Sequence, residues 1–161
     1  MPSLGLPTAA VRDSYITGES ADAAASGASM DWLEEAGADF GTYAAVRSVV
    51  RQLWEVPVTE LWYVEGATYF GTLVIRHRLT PQLRFDGGHI GYNVVSTQRR
   101  KGHATAMLAA SFPYCRALGL TQVLLTCEPE NIGSRRVIEA NGGRLQRGTD
   151  GICRYWISLE G

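Results

Sequence analysis

Apolar positions recur along this chain with two spacings, a helical one early and an alternating one later. In DFGTYAAVRSVVRQLWE, residues 39–55, Tyr43, Val46, Val49, Val50 and Trp54 share one broad face and Arg47 and Arg51 another. That pattern predicts an amphipathic helix. The preceding GESADAAASGAS, 18–29, is small and polar and reads as a loose helix or a mobile loop. TELWYVEG, 59–66, and TYFGTLVIRHRL, 68–79, then predict two strands joined by a turn at Glu65–Gly66. PQLRFDGG, 81–88, reads as a loop, and HIGYNVV, 89–95, as a strand whose glycine marks a bulge or a close backbone approach. A helix is expected over 102–118, ended by Gly119, with Pro113 removing one of its hydrogen bonds. TQVLLTC, 121–127, is a buried strand by its apolar run. NIGSRRVIEANGG, 131–143, is a short helix with Asn131 as N-cap and Gly142 as stop. GRLQRG and GICRYWISL close the chain as two strands, a hairpin around Asp150–Gly151. Helices first, then strands with two helices as crossovers, give an α/β or α+β fold with a mixed sheet.

Composition changes this picture little. The 161 residues suit one domain with a sizeable core, and 45% apolar with 19% charged residues is ordinary globular usage. The net charge of −1 argues against a general nucleic-acid binder, which needs a basic surplus. Charge is unevenly spread: residues 1–65 carry ten acidic and three basic side chains, residues 66–161 six and twelve. One half could face a cation and the other an anion, or both are simply solvated surfaces. Cys115, Cys127 and Cys153 form no CxxC pair and the three histidines no HExxH, so neither a disulfide framework nor a metal is expected. No signal-peptide pattern and no apolar run of about 20 residues occurs, so no membrane span is expected and a cytoplasmic setting is the default.

The chemistry concentrates in NVVSTQRRKGHAT, residues 93–105. A helix start leaves about four backbone N–H groups unpaired and carries partial positive charge. Gly102 and Ala104 leave those amides bare, with Arg99, Arg100 and Lys101 beside them, so an anion could sit there. The stretch is neither a Walker loop nor GxGxxG, and alone it reads equally as a solvated basic turn. About thirty residues on, the chain continues LLTCEPENIGSRRVIEANGG. Together the two stretches resemble the GNAT superfamily of N-acetyltransferases. Arg99, Gly102 and Ala104 match its Q/R-x-x-G-x-G/A signature after a strand. Residues 122–127, Asn131 and Gly142–Gly143 match its second strand, asparagine, helix and glycine. The resemblance covers residues 58–158. The segments IRHRL, GGHIGY, RRKGHAT and NIGSRRVIEANGG also look like one subgroup of acetyltransferases of uncharacterised substrate.

The resemblance implies one N-acetyltransferase domain over 1–161. Its acceptor-side elements would span about 1–66, an acetyl-CoA-binding core about 67–145 and C-terminal strands about 144–159. It implies a central sheet of about six to seven strands, splayed between the fourth and fifth, flanked by about four helices. Acetyl-CoA would be the co-substrate, with no metal. Tyr92, Asn93 and Val94 would offer backbone groups to the pantetheine arm, and the Val94 N–H would hold the thioester oxyanion. Arg99, Arg100, Lys101, Gly102, His103, Ala104 and Thr105 would surround the pyrophosphate. Asn131 and Ser134 would touch the pantetheine or phosphates, and Arg135 or Arg136 would reach the phosphates or else lie on a solvated helix face.

The family's usual direct attack needs a neutral amine, an oxyanion donor and sometimes a proton for the thiolate. His89, His77 and Glu128 are the candidate bases, with Glu65 weaker. His89 has a suitable ordinary pKa of about 6.5 but reads equally as a plain strand-start histidine. The family's frequent tyrosine seven residues after the motif asparagine is Ile138 here, so Tyr92, Tyr114 or no residue protonates the thiolate. Cys127 reads as an apolar filler before it reads as an acetyl carrier. Trp54, Trp62, Tyr63, Tyr69 and Phe70, with the acidic excess, would suit a small cationic amine if they line a mouth and not the core. Alternatives are a protein or peptide N-acetyltransferase, a catalytically silent acyl-CoA-binding module and a nucleic-acid binder. Family members often dimerise, so a homodimer is an open expectation.

Overall fold

The computed structural model describes residues 1–146 and 150–160. Its element order is β1 (Ser3–Gly5), α1 (Arg12–Ser26), α2 (Asp31–Ala38), α3 (Phe40–Arg47), β2 (Arg51–Leu53), β3 (Val56–Glu65), β4 (Thr68–Arg76), α4 (Pro81–Phe85), β5 (Ile90–Val94), α5 (His103–Ala117), β6 (Gln122–Cys127), α6 (Ile132–Ala140), β7 (Arg144–Gln146) and β8 (Cys153–Ser158). The strands form two sheets, β1-β3-β4-β5 with β2 on β3, and β6-β8-β7. Every ladder among the described residues is antiparallel. The expected mixed sheet is thus divided, and the division falls between β5 and β6. Counted without the short β1 and β2, β5 is the third long strand. The turn of the last hairpin lies partly outside the described residues, but β7 and β8 pair from Gln146↔Arg154 to Arg144↔Trp156.

One core lies where α5 packs on both sheets, built on Leu61, Leu73, Met107, Leu108, Leu125 and Tyr155. A second, aromatic core holds α1 and α3 against the opposite face of the first sheet. There Tyr15 stacks on Trp62 at 4.5 Å and meets Tyr69 edge-on at 4.8 Å. Most of the aromatics that could have lined an acceptor mouth, Trp62, Tyr63, Tyr69 and Phe70, are core. Burying each contributes roughly 2–3 kcal/mol.

Residues 18–26 of the segment 18–29 form the second half of α1, capped by Gly27 at φ 73°. Tyr15, Glu19, Asp22 and Ala23 fall at i, i+4, i+7 and i+8, so one face of α1 meets the sheet. The helix expected over 39–55 stops at Arg47, and Val46, Val49, Val50 and Trp54 are exposed. The cause is tertiary. Arg51–Leu53 pairs with β3, and a two-residue hairpin turn follows with Trp54 and Glu55 at φ 53° and 66°. Each left-handed residue costs about 1–2 kcal/mol. Sheet pairing and the Trp54 ring, 4.3 Å from the Arg76 guanidinium, offset that cost. Residues 81–88 hold the short α4, with Pro81 in its first turn and Thr80 capping Leu83 N–H.

Candidate active site

Strand β5 uses its two edges differently. Its ladder with β4 is anchored by Val95 N–H to Phe70 O, 2.9 Å, and Arg76 N–H to His89 O, 2.6 Å. Hydrogen-bonded positions alternate along an antiparallel pair, so Gly91 and Asn93, opposite Val74 and Thr72, direct their backbone groups to β4. The N–H groups of Tyr92 and Val94 point the other way, toward β6.

β5 and β6 meet at one end. His89 N–H donates to Leu124 O, 2.7 Å, and Leu124 N–H donates to His89 Nδ1, 2.9 Å. Gly88, at φ 65°, is obligatory here, since a Cβ would run into the Leu124 carbonyl. Beyond this join no ladder links the two strands, and they diverge around a cleft of about 840 Å³. Tyr92, Asn93 and Val94 line one wall, Cys127, Asn131 and Ser134 the other.

The turn before α5 closes one end of this cleft. Arg100 and Gly102 adopt φ of 62° and 83°, and no side chain caps the helix. The first intrahelical donor is Ala106, to Gly102 O at 3.2 Å, so the amides of His103, Ala104 and Thr105 stay unpaired. Nothing lies within 4 Å of where a Gly102 Cβ would stand. Arg100, Gly102, His103, Ala104 and Thr105 all line the cleft. The other cations turn elsewhere. Arg99 borders the cleft, but its Nε donates to Val94 O, 2.8 Å, and its guanidinium to Asn93 Oδ1, 3.2 Å. Lys101 reaches Gln98 Oε1, 3.2 Å, and Arg135 reaches Tyr155 Oη, 3.0 Å, and Pro129 O, 3.3 Å. Neither lines the cleft. An anion here meets amides first, with the Arg100 side chain beside them. Asn131 Oδ1 accepts Ser134 N–H, 3.1 Å, and so caps the start of α6 in the opposite wall.

None of the named base candidates lines the cleft. His89 is buried, and its Nδ1 is the acceptor for Leu124, which leaves its proton on Nε2. Burial first, then Arg84 and Arg76, pull its pKa down to about 4. It pins the join of the two sheets. Glu128 is exposed at the end of β6, outside the cleft lining. His77 bonds Thr59 Oγ1 at 2.7 Å across the β3–β4 ladder, and burial lowers its pKa. Glu65 lies beside the N-terminal amine. Cys127 lines the cleft, but burial raises its thiol pKa, which disfavours the thiolate a covalent carrier needs.

A second pocket, about 490 Å³, opens on the other face of β5 and is bordered by Glu19, Asp22 and Trp32. Asn93 and Arg99 line both pockets. Burial raises the Glu19 pKa, and neighbouring Asp22 and Glu60 add to it against the hydrogen bond from Tyr69 Oη, 2.8 Å. Asp22 accepts from Ser96 N–H, 3.0 Å. Sequence reasoning missed both carboxylates. Their signal was the acidic i, i+3 pair on the face of α1 marked by Tyr15 and Ala23.

The model of the Acetyltransferase (GNAT) domain matches residues 16–144, and the chain belongs to this family of acetyl-CoA-dependent acyltransferases. No curated protein matches the sequence significantly. Among solved structures, Mycobacterium smegmatis RimJ, in complex with CoA-disulfide, is 22% identical with a TM-score of 0.65, covering 96% of this chain and 80% of its own. RimL, a ribosomal L7/L12 alpha-N-protein acetyltransferase in complex with coenzyme A, gives 16% and 0.63 over 97% and 94%. Salmonella typhimurium yncA, with its cofactor acetyl-CoA, gives 16% and 0.58 over 99% and 94%. At these identities the likeness is one of fold. No helix among the described residues is long and apolar enough to cross a membrane.

Proposed function

We propose that this protein moves the acetyl group of acetyl-CoA to a primary amine of a small, cationic molecule by direct attack on the thioester. The observation that carries this reading is the wall shared by two pockets. The large cleft fits the donor, with unpaired amides at α5 for the pyrophosphate and free N–H groups of Tyr92 and Val94 along its length. Either N–H can hold the thioester oxygen as it gains charge. The second pocket meets the first at Asn93, so an amine in it approaches the carbonyl from the far side of β5. Its two carboxylates outnumber its one cation, Arg99, which lies 3.9 Å from Asp22, so the lining favours a cation, and Trp32 offers an apolar wall. Glu19 is the proposed base. A carboxylate with a raised pKa accepts the ammonium proton more readily than an ordinary one. The three free cysteines and the demand for acetyl-CoA fit a cytoplasmic setting.

The reading is tested by release of coenzyme A thiol from acetyl-CoA across polyamines, amino sugars, amino acids and peptides with free N-termini. Turnover with a small amine class supports it. Turnover confined to peptides assigns a protein acceptor instead. Tight donor binding with no acceptor-dependent release leaves an acyl-CoA-binding module. Glu19→Gln should lower kcat by about 10²-fold and remove the acidic limb of the pH–rate profile. In the unaltered enzyme that limb lies above the ordinary carboxylate range, because the base works only when deprotonated and its pKa is raised.

A further inference from the structure

A sulfur departing into an apolar cleft leaves more readily with a proton donor beside it, and the position the resemblance pointed to is Ile138, 0% exposed inside the core. Tyr114 is no substitute. It lies on the outer side of α5 with its hydroxyl donating to Leu4 O, 3.0 Å. Tyr155 Oη is held by Arg135 and Glu139, and Tyr69 Oη by Glu19 and Thr72, neither in the donor cleft. One tyrosine lines that cleft, Tyr92. Its backbone N–H faces the gap on β5, and its side chain crosses to the opposite wall, where the hydroxyl meets Ser134 Oγ at 2.8 Å. Ser134 in turn neighbours the Cys127 thiol. The phenol therefore spans the gap between the two walls of the cleft proposed for the donor.

Resting on the acetyl-transfer reading above, we propose that Tyr92 protonates the coenzyme A thiolate, with Ser134 orienting its hydroxyl. The amine nitrogen forms a bond to the carbonyl carbon and the oxygen takes the negative charge. The oxyanion collapses, the C–S bond breaks and its electron pair goes to sulfur. The Tyr92 O–H proton passes to that sulfur, and coenzyme A leaves as the thiol. Glu19 takes the proton the ammonium gives up before the attack, the proton the nitrogen sheds after it goes to solvent, and the tyrosinate, stabilised by the Ser134 hydroxyl, regains one from solvent. A thiolate left in a cleft walled by Ile90, Val94, Leu125 and Val137 would lose hydration it cannot replace. Burial also raises the Tyr92 pKa, so the phenol stays protonated at neutral pH, the form a donor needs.

The test compares Tyr92→Phe and Ser134→Ala on the full chain, by steady-state kinetics with the best acceptor and by calorimetric binding of free coenzyme A. Tyr92→Phe should lower kcat by about 10²-fold, leave the coenzyme A Kd within about threefold, and remove the alkaline limb of kcat against pH. Ser134→Ala breaks the same hydrogen bond but keeps the phenol, so its loss in kcat should be smaller and its alkaline limb retained. Equal losses in both variants, or a Tyr92→Phe enzyme with unaltered kcat and pH profile, overturn the assignment. Those outcomes are seen only if the unaltered enzyme turns over. No turnover with any amine sinks the acetyl-transfer reading itself, independently of Tyr92.

Discussion

At Gly102 the absence of a side chain matters more than the charges around it. The residue sits at φ 83° with open space where a Cβ would be, directly before three unpaired amides. Gly102→Glu should abolish coenzyme A binding in calorimetry. A carboxylate there both repels the pyrophosphate and occupies its approach. The left-handed backbone adds a folding cost of about 1–2 kcal/mol, so circular dichroism should still report a folded chain. Unchanged affinity would mean that the phosphates bind elsewhere. Lys101 and Arg135 teach the converse. Both looked like phosphate ligands by position, yet each is engaged with a neighbour outside the cleft. Sequence spacing locates a Cα well, but a long flexible side chain goes to whichever partner the fold brings near.

The join of β5 and β6 makes a prediction at the scale of elements. His89 is neutral, buried and an acceptor for Leu124 N–H, and its pKa drops to about 4. Unfolded, it titrates near 6.5, so the unfolded chain binds more protons between those values. Its contribution is present in full above pH 6.5 and is lost as pH falls toward 4, by about 3 kcal/mol. Urea midpoints measured from pH 7 to 4.5 should fall accordingly, and His89→Asn should flatten that slope. A slope unchanged by the substitution would place the acid sensitivity elsewhere. The strands 59–66, 68–79, 89–95 and 121–127 were legible because short alternating or continuous apolar runs, bounded by turn residues, suit little besides a strand. The segment 39–55 was not. Its valines fit a helical period, but β2 forms because β3 offers it an edge, and no local pattern carries that information.

Across the whole molecule, the cleft is a consequence of two sheets that part rather than a hollow carved in one. The donor would bridge them, and a ligand that binds only the folded chain stabilises it by mass action. At about a hundred times its Kd, coenzyme A should add about 2.7 kcal/mol. Thermal unfolding should show a rise in Tm of several degrees. The shift should vanish in Gly102→Glu and persist in Glu19→Gln, which lines only the second pocket. A shift lost equally in both would argue that the two pockets do not act separately.

By itself the sequence determined the order of the main strands and helices and the bare helix start after Gly102. Both rest on local features: apolar periodicity, the helix stop at Gly119, the cap at Asn131 and the bare turn at Gly102. Tertiary structure decided which side chains border the second pocket. Glu19 and Asp22 lie in a bland stretch of small residues more than seventy positions from Asn93, and packing of α1 on the sheet brings them to it. It also buried His89 where two sheets meet, outside the lining of the cleft. Tyr92 and Ser134, 42 residues apart, touch only because β5 and α6 face each other across the cleft. Such pairings depend on which surfaces bury together, a property of the folded chain that no window of sequence contains.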